Sequence, residues 1–198
     1  MLTVFLLRHG ETAWNADNNR YCGRTDIPLT AKGIKQAEAV AIQLKGIQLD
    51  GVYSSPLQRA SNTARIITGQ DPVTDDRLIE ADFGLWENKT KEEFIAENEK
   101  LWINWMTDPG TAKAGGTGET GLDVVRRVED FFKQLLAEKR SGKYLVTAHN
   151  GVNRLYMSYK LEMPLKNYRQ LLQLNSAITQ FTLTEDGVFT LEMLNGKL

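Results

Sequence analysis

Two apolar runs constrain this chain of 198 residues more than any other feature. Leu2-Thr3-Val4-Phe5-Leu6-Leu7-Arg8 leads into His9-Gly10, and Lys143-Tyr144-Leu145-Val146-Thr147-Ala148 leads into His149-Asn150-Gly151. Each run is short, apolar and β-branched or aromatic, then stops at a glycine turn, the pattern of a buried strand. The two histidines that end them are the only ones in the chain. In an open α/β sheet, ligands bind beyond the carboxyl ends of the strands. Two imidazoles delivered there can share one pocket or can sit at unrelated strand ends. The segments between them bear on which.

Helical and strand signals alternate through those segments. After the loop His9 to Leu29, Thr30 is placed as a helix N-cap, with Leu29 and Ile34 as a hydrophobic staple. Ile34, Ala37, Ala41 and Leu44 then follow at helical spacing, and Gly46 lies near the stop. Gly51 to Ser54 is a short strand, Ser55-Pro56 a cap with proline at the first helical position, and Leu57, Ala60, Ala64 and Ile67 one helix face. A strand near Pro72 to Thr74 follows. Lys91 to Glu99 has helical composition, continued by Leu101 to Trp105, and Ala112 to Gly118 is a glycine-rich loop. Leu122, Val125, Val128, Phe131, Phe132 and Leu135 give an amphipathic helix feeding the His149 strand, and Gly151 to Leu161 begins another. Ala177 to Leu183 and Val188 to Met193 form a hairpin around Glu185-Asp186-Gly187. This alternation predicts an α/β fold: a three-layer α/β/α sandwich on a mostly parallel mixed sheet with an antiparallel edge. The length fits one domain over residues 1–198, without linker or repeat.

Composition narrows the function classes. A net charge of −1 argues against an electrostatic nucleic-acid binder. The apolar run before Arg8 is too short for a signal peptide core or a membrane span. A lone cysteine, Cys22, forms no internal disulfide and fits a reducing compartment. The expectation is a cytoplasmic protein with neither a nucleic-acid nor a membrane partner.

Four predicted strand–helix junctions carry reactive groups. They are Arg8-His9-Gly10-Glu11-Thr12 with Asn15; Ser54-Ser55-Pro56 with Arg59; Glu80 to Glu87, where carboxylates sit among Phe83, Leu85 and Trp86; and His149-Asn150. Arg59, near a helix start, gains from a bound anion there, although an arginine on a solvated helix face would look the same in sequence. The carboxylates either lie desolvated, as a general acid at neutral pH requires, or point to water while the aromatics face the core. Two Arg, two His and a carboxyl group together suit a phosphate monoester. Guanidinium forks hold phosphate oxygens and neutralise charge during phosphoryl transfer, and a neutral imidazole can take the phosphoryl group covalently. No metal or cofactor is required, and two histidines without ligand spacing match no common metal pattern.

The run Leu6-Leu7-Arg8-His9-Gly10-Glu11-Thr12-Ala13-Trp14-Asn15 resembles the signature of the histidine phosphatase superfamily, also called the phosphoglycerate mutase-like family. The similarity continues through Gly23 to Thr30, Tyr53 to Ala60 with Thr63-Ala64, Glu80 within the Phe83 to Glu87 block, and His149. The resemblance implies an α/β/α sandwich and a role for each residue. His9 would become phosphohistidine, and Arg8, Arg59 and His149 would bind the phosphoryl group. Asn15 would add a phosphate contact, Glu80 would be general acid and then base, and Cys22, Gly23 and Asn150 would lie against the substrate. It implies a small phosphorylated metabolite as substrate, in the manner of alpha-ribazole and broad-specificity phosphatases of the family. A phosphoglycerate mutase is the alternative, and a non-catalytic phospho-ligand module a further one.

The chain departs from the family pattern at Ala148-His149-Asn150-Gly151, at Cys22, and at Trp86-Glu87-Asn88, and these positions are expected around the leaving group. Cys22 reads as structural because no thiolate-stabilising partner is evident. Trp102, Ile103, Trp105 and Met106 read as helix core, although their place before a glycine-rich loop also allows a lid over the pocket. Arg126-Arg127 reads as a solvated helix face.

Overall fold

Strand β1 (Leu2–Arg8) shows how the sequence builds its layers in this computed structural model, which describes residues 1–197. Side chains alternate faces along a strand. Leu2, Val4 and Leu6 therefore enter one apolar layer, while Phe5 and Leu7 enter the other. Both faces are covered, the condition under which a strand reads as continuously apolar. Beside it β4 (Gly142–Ala148) runs parallel, in register from Leu2 opposite Gly142 to Arg8 opposite Ala148. The two histidines consequently leave neighbouring strands at the same level, and the His9 amide donates to the Ala148 carbonyl at 3.1 Å.

β2 (Gly51–Ser54) and β3 (Val73–Thr74) extend the parallel block beyond β4. On the other side β5 (Ile178–Leu183) and β6 (Phe189–Gly196) add the antiparallel hairpin, giving the order β3-β2-β4-β1-β5-β6. The expected mixed, mostly parallel sheet is present. Short α1 (Ala13–Ala16) follows the first histidine. α2 (Ala31–Gln43) and α3 (Gln58–Thr68) pack together over the Phe5 and Leu7 face. α4 (Lys91–Thr107), α5 (Gly121–Lys139) and α6 (Asn150–Lys160) supply the thicker aromatic layer on the opposite face. No described helix is long and apolar enough to cross a membrane.

Four local expectations are corrected. The buried stripe of α2 is Gly33, Ala37 and Val40, ending on Leu44, while Ile34 is exposed and makes no staple into the core. The stripe is displaced because Gly33 lies against the loop after β1: a Cβ there would stand 2.2 Å from the Glu11 carbonyl oxygen. Pro56 is not the first residue of α3, which begins at Gln58 because Asp26 accepts from the Gln58 amide at 2.8 Å and so caps the helix from another segment. α4 is broken at Asn98, whose backbone is extended. Arg127 is not a solvated partner of exposed Arg126: it is largely buried, and it binds Glu119 at 3.0 Å and donates to the Arg77 carbonyl at 2.6 Å.

The Gly33 contact gives a first test. Gly33→Ala forces its methyl against the His9-Gly10-Glu11 loop and should lower stability by about 1–3 kcal/mol, the usual cost of overpacking. Urea unfolding measures it, and a midpoint equal to that of the parent would show that the loop yields freely.

Candidate active site

The matched ends of β1 and β4 place the His9 and His149 rings 5.2 Å apart between centroids, tilted by 60°. Both side chains are buried. The His9 Nδ1 lies 2.7 Å from the Gly10 carbonyl oxygen. A carbonyl only accepts, so Nδ1 carries the hydrogen and Nε2 keeps its lone pair. Burial, and after it the charges of Arg59 and Arg8, hold the His9 pKa well below 6.5. The His149 pKa is held well below the same value by burial first and Arg59 second. Near neutral pH both imidazoles are therefore uncharged, and His9 presents a nucleophilic nitrogen.

The guanidiniums reach the histidines by different routes. Arg8 is the last residue of β1, and its Nη1 donates to the Gln173 carbonyl at 3.0 Å. Its pKa is lowered to about 10, chiefly by burial, against which Glu80 is the main opposing charge. Arg59 lies in the first turn of α3, wholly buried, and donates to the carbonyls of Thr25 at 2.8 Å and Gly23 at 2.7 Å. Among the described residues, Nε of both arginines and both ring nitrogens of His149 are buried without a hydrogen-bond partner. Buried polar groups are nearly always satisfied. Donors left over in this number, beside a neutral imidazole, fit a ligand rich in acceptor oxygens.

Glu80 approaches from the other side. Its segment is irregular rather than extended, between short 3₁₀ turns at Asp76–Leu78 and Gly84–Trp86. The carboxylate accepts from the amides of Gly151 at 3.2 Å and Val152 at 3.1 Å, so it caps α6 immediately after His149. The proton-donor candidate and the second histidine are thereby tied to one helix start. Asp82 faces elsewhere: it accepts from the Gly84 amide, and its own backbone pairs with Glu119.

The remaining candidates divide. Asn15, Cys22 and Asn150 line the cavity with Arg8, His9 and Glu80. The Asn15 Oδ1 is already occupied by Thr12 and Asn175, so any phosphate contact must come from Nδ2. Burial pushes the Cys22 thiol pKa up, which keeps it protonated and unreactive. Gly23 lies outside the cavity lining: its carbonyl holds Arg59, and its φ of +47° brings its Cα against Glu87. The departure at Trp86-Glu87-Asn88 is structural, a correction to its expected place near the leaving group. Glu87 accepts from the Arg24 amide and the Thr25 hydroxyl, and Asn88 takes φ +62°, a turn conformation that asparagine tolerates.

The Trp102 to Gly118 stretch contributes nothing to the cavity lining. Trp105 is core, donating to the Tyr168 hydroxyl at 3.1 Å, and Gly115 and Gly118 pack so closely on Phe83 and Asp82 that a Cβ would stand about 2 Å from their carbonyls. The glycine-rich loop thus braces the segment that carries Glu80. Sequence reasoning missed Gln173 and Asn175, which orient Arg8 and Asn15, and gave no role to the motif residue Thr63, which accepts from the Gly10 amide. It also missed Tyr21, Arg154, Tyr168 and Arg169 in the cavity wall. The Asn175-Ser176 turn before β5 was the only available signal for the first pair.

Comparison with known proteins agrees with this geometry. The model of the histidine phosphatase superfamily (branch 1) matches residues 4–196. The probable phosphoglycerate mutase GpmB of Yersinia pestis is 33 % identical over 183 residues, covering 91 % of this chain and 84 % of that protein. A phosphoserine phosphatase mutant from Entamoeba histolytica, solved with phosphoserine, superposes with a TM-score of 0.89 at 29 % identity, over 98 % of this chain and 97 % of the other. The alpha-ribazole phosphatase of Shigella flexneri gives 0.84 at 30 % identity, over 98 % and 96 %.

Proposed function

The chain belongs to the histidine phosphatase superfamily, branch 1, and on that footing we propose that it is a phosphatase that hydrolyses a small phosphomonoester through a phosphohistidine on His9. The observation that carries this reading is the neutral His9 ring, its Nδ1–H held by the Gly10 carbonyl, between two buried guanidiniums. The His9 Nε2 lone pair attacks phosphorus while the ester P–O bond breaks. Arg8, Arg59 and His149 donate to the three equatorial oxygens as charge moves onto them. Glu80 gives its proton to the departing oxygen, then takes one from the water that cleaves the P–N bond, and inorganic phosphate leaves.

Hydrolysis is favoured over mutase transfer because a mutase has to keep water from the phosphoenzyme. Within the stretch most able to cover the pocket, Trp102 to Gly118, no residue lines the cavity, and Gly115 and Gly118 pack against the segment that carries Glu80. The reading treats residues 1–198 as one catalytic domain in the cytoplasm, consistent with a sheet that collects His9 and His149 from opposite ends of the chain and with a single buried cysteine.

Turnover of p-nitrophenyl phosphate tests the class. Activity should survive prolonged chelation, because the cations are supplied by arginine side chains. Vanadate, which mimics the trigonal phosphoryl group in the transition state, should inhibit well below substrate concentration. Loss of turnover on chelation with recovery on adding a divalent metal would overturn the metal-independent mechanism.

A further inference from the structure

Every backbone N–H and C=O of the His9-Gly10-Glu11 turn has a hydrogen-bond partner. The His9 amide donates to the Ala148 carbonyl, and the His9 carbonyl accepts from Asn175 at 3.0 Å. The Gly10 amide donates to the Thr63 hydroxyl at 3.0 Å, and the Glu11 carbonyl accepts from the Thr30 amide at 2.9 Å. The peptide between Gly10 and Glu11 differs from the rest. Its carbonyl takes the His9 Nδ1–H at 2.7 Å, and its N–H donates to the Gln36 Oε1 at 2.8 Å.

Helix α2 brings Gln36 to that peptide. It crosses the turn in near backbone contact: a Cβ on Gly10 would stand 2.5 Å from the Gly33 carbonyl oxygen. Gln36 follows Gly33 by three residues, on the same helix face. Lys32 ties the helix start to the turn again, its ammonium 2.7 Å from the Glu11 carboxylate. Gln36 is half-buried on this fixed element and lies outside the cavity lining.

A peptide is conjugated, so hydrogen bonds at its N–H and C=O ends polarise one another. The Gln36 oxygen draws on the Glu11 hydrogen and makes the Gly10 oxygen a better acceptor. That oxygen faces a ring whose charge changes in the reaction. As the Nε2 lone pair forms the P–N bond and the ester P–O bond breaks, Nδ1 keeps its proton and the ring becomes imidazolium-like. Its Nδ1–H is then a charge-assisted donor, about twice as strong as that of the neutral ring. Burial, Arg59 and Arg8 all oppose positive charge on His9, while the Gly10 carbonyl works the other way. A better acceptor there stabilises the ring under attack on phosphorus more than the resting ring, the condition for a gain in rate.

We propose that Gln36 is a positioning residue for the nucleophile: through the Gly10–Glu11 peptide it holds the His9 tautomer and stabilises the ring as it takes the phosphoryl group. This rests on the phosphatase reading above and extends its machinery to α2.

Two variants separate the role from simple loop support. Gln36→Met keeps the side-chain stem and removes the acceptor, whereas Gln36→Glu keeps an acceptor and adds charge. Gln36→Ala serves if Gln36→Met folds poorly. With only two histidines in the chain, ¹⁵N-histidine labelling picks out the His9 Nδ1–H proton by NMR, independently of turnover. A stronger hydrogen bond moves such a proton downfield. Gln36→Met should therefore shift it upfield, and Gln36→Glu should shift it downfield. With p-nitrophenyl phosphate, Gln36→Met should lower kcat/KM by roughly 3–10-fold, the worth of one hydrogen bond. Gln36→Glu should retain most of the parent value. Competitive inhibition by inorganic phosphate, which reads binding at Arg8 and Arg59 without chemistry, should be unchanged in Gln36→Met. A proton signal that stays in place in Gln36→Met, or moves the same way in both variants, would overturn the proposal. So would phosphate inhibition that weakens in step with kcat/KM, the mark of a disordered turn. These results leave the phosphatase reading intact, since it requires only that the parent turns over. A parent inactive toward p-nitrophenyl phosphate would remove that reading, and with it the part of Gln36 in the reaction, whatever the proton signal does.

Discussion

His9→Ala should reduce turnover by on the order of 10⁴–10⁶-fold, the scale seen when a nucleophile is removed from a set of groups that act as a unit. The covalent intermediate should disappear with it. In the parent enzyme, rapid quench with a ³²P-labelled substrate should trap a phosphoenzyme that is labile in acid and stable in base, as a phosphoramidate on imidazole is. Label that persists in His9→Ala would move the nucleophile elsewhere. The neighbouring imidazole makes this a real test, since His149 is neutral too and its ring lies 5.2 Å away. The geometry discriminates between the two: His9 has its tautomer fixed by the Gly10 carbonyl, whereas neither nitrogen of His149 has a partner among the described residues. A pH profile adds a second arm. Burial, Arg59 and Arg8 all disfavour protonated His9, so its neutral form persists as pH falls through 6.5 and is lost only well below it. An acid limb of kcat/KM assigned to His9 by its absence in the variant should lie below that value.

Much of this site was legible in the sequence, because strand ends are legible. The apolar runs before His9 and His149 specify two strands with both faces buried, and a parallel sheet delivers its strand ends to one side. The equal level of Arg8 and Ala148 in neighbouring strands completes the pairing. What escaped was everything decided by contacts distant in sequence. Gly33 replaces Ile34 in the buried stripe because of the Glu11 backbone, a close approach that hydrophobic periodicity cannot register. Arg127 reads as surface by spacing, yet it holds Glu119, which holds Asp82. Arg169 lies beyond α6, past the last motif at His149, and the packing of Tyr168 against Arg154 of α6 brings it to the cavity. The Trp102 to Gly118 region adds no residue to the cavity lining, and its Gly115 and Gly118 lie against the Phe83 and Asp82 carbonyls.

Glu80→Gln separates the proton donor from its carboxylate neighbours. If Glu80 protonates the leaving oxygen, its loss should slow an alkyl phosphate by roughly 10²–10⁴-fold, the usual worth of general acid catalysis. p-Nitrophenyl phosphate should lose far less, because nitrophenolate departs without a proton. The substitution has a structural side as well. Glu80 accepts from the Gly151 and Val152 amides, and a glutamine, with one acceptor oxygen instead of two, keeps at most part of that cap. Weakening the cap should cost about 0.5–2 kcal/mol of stability, visible in denaturant unfolding. A purely structural role would displace α6 with its neighbour His149 and slow both esters alike, so the leaving-group dependence, and not the size of the loss, identifies the acid. Asp82→Asn serves as the contrast. The Asp82 carboxylate caps the Gly84 amide away from the cavity, so its replacement should leave the ratio between the two esters unchanged. A larger, leaving-group-dependent loss in Asp82→Asn than in Glu80→Gln would transfer the role to Asp82. That result would also require the segment to turn over during the reaction, against the Gly115 and Gly118 contacts that clamp it.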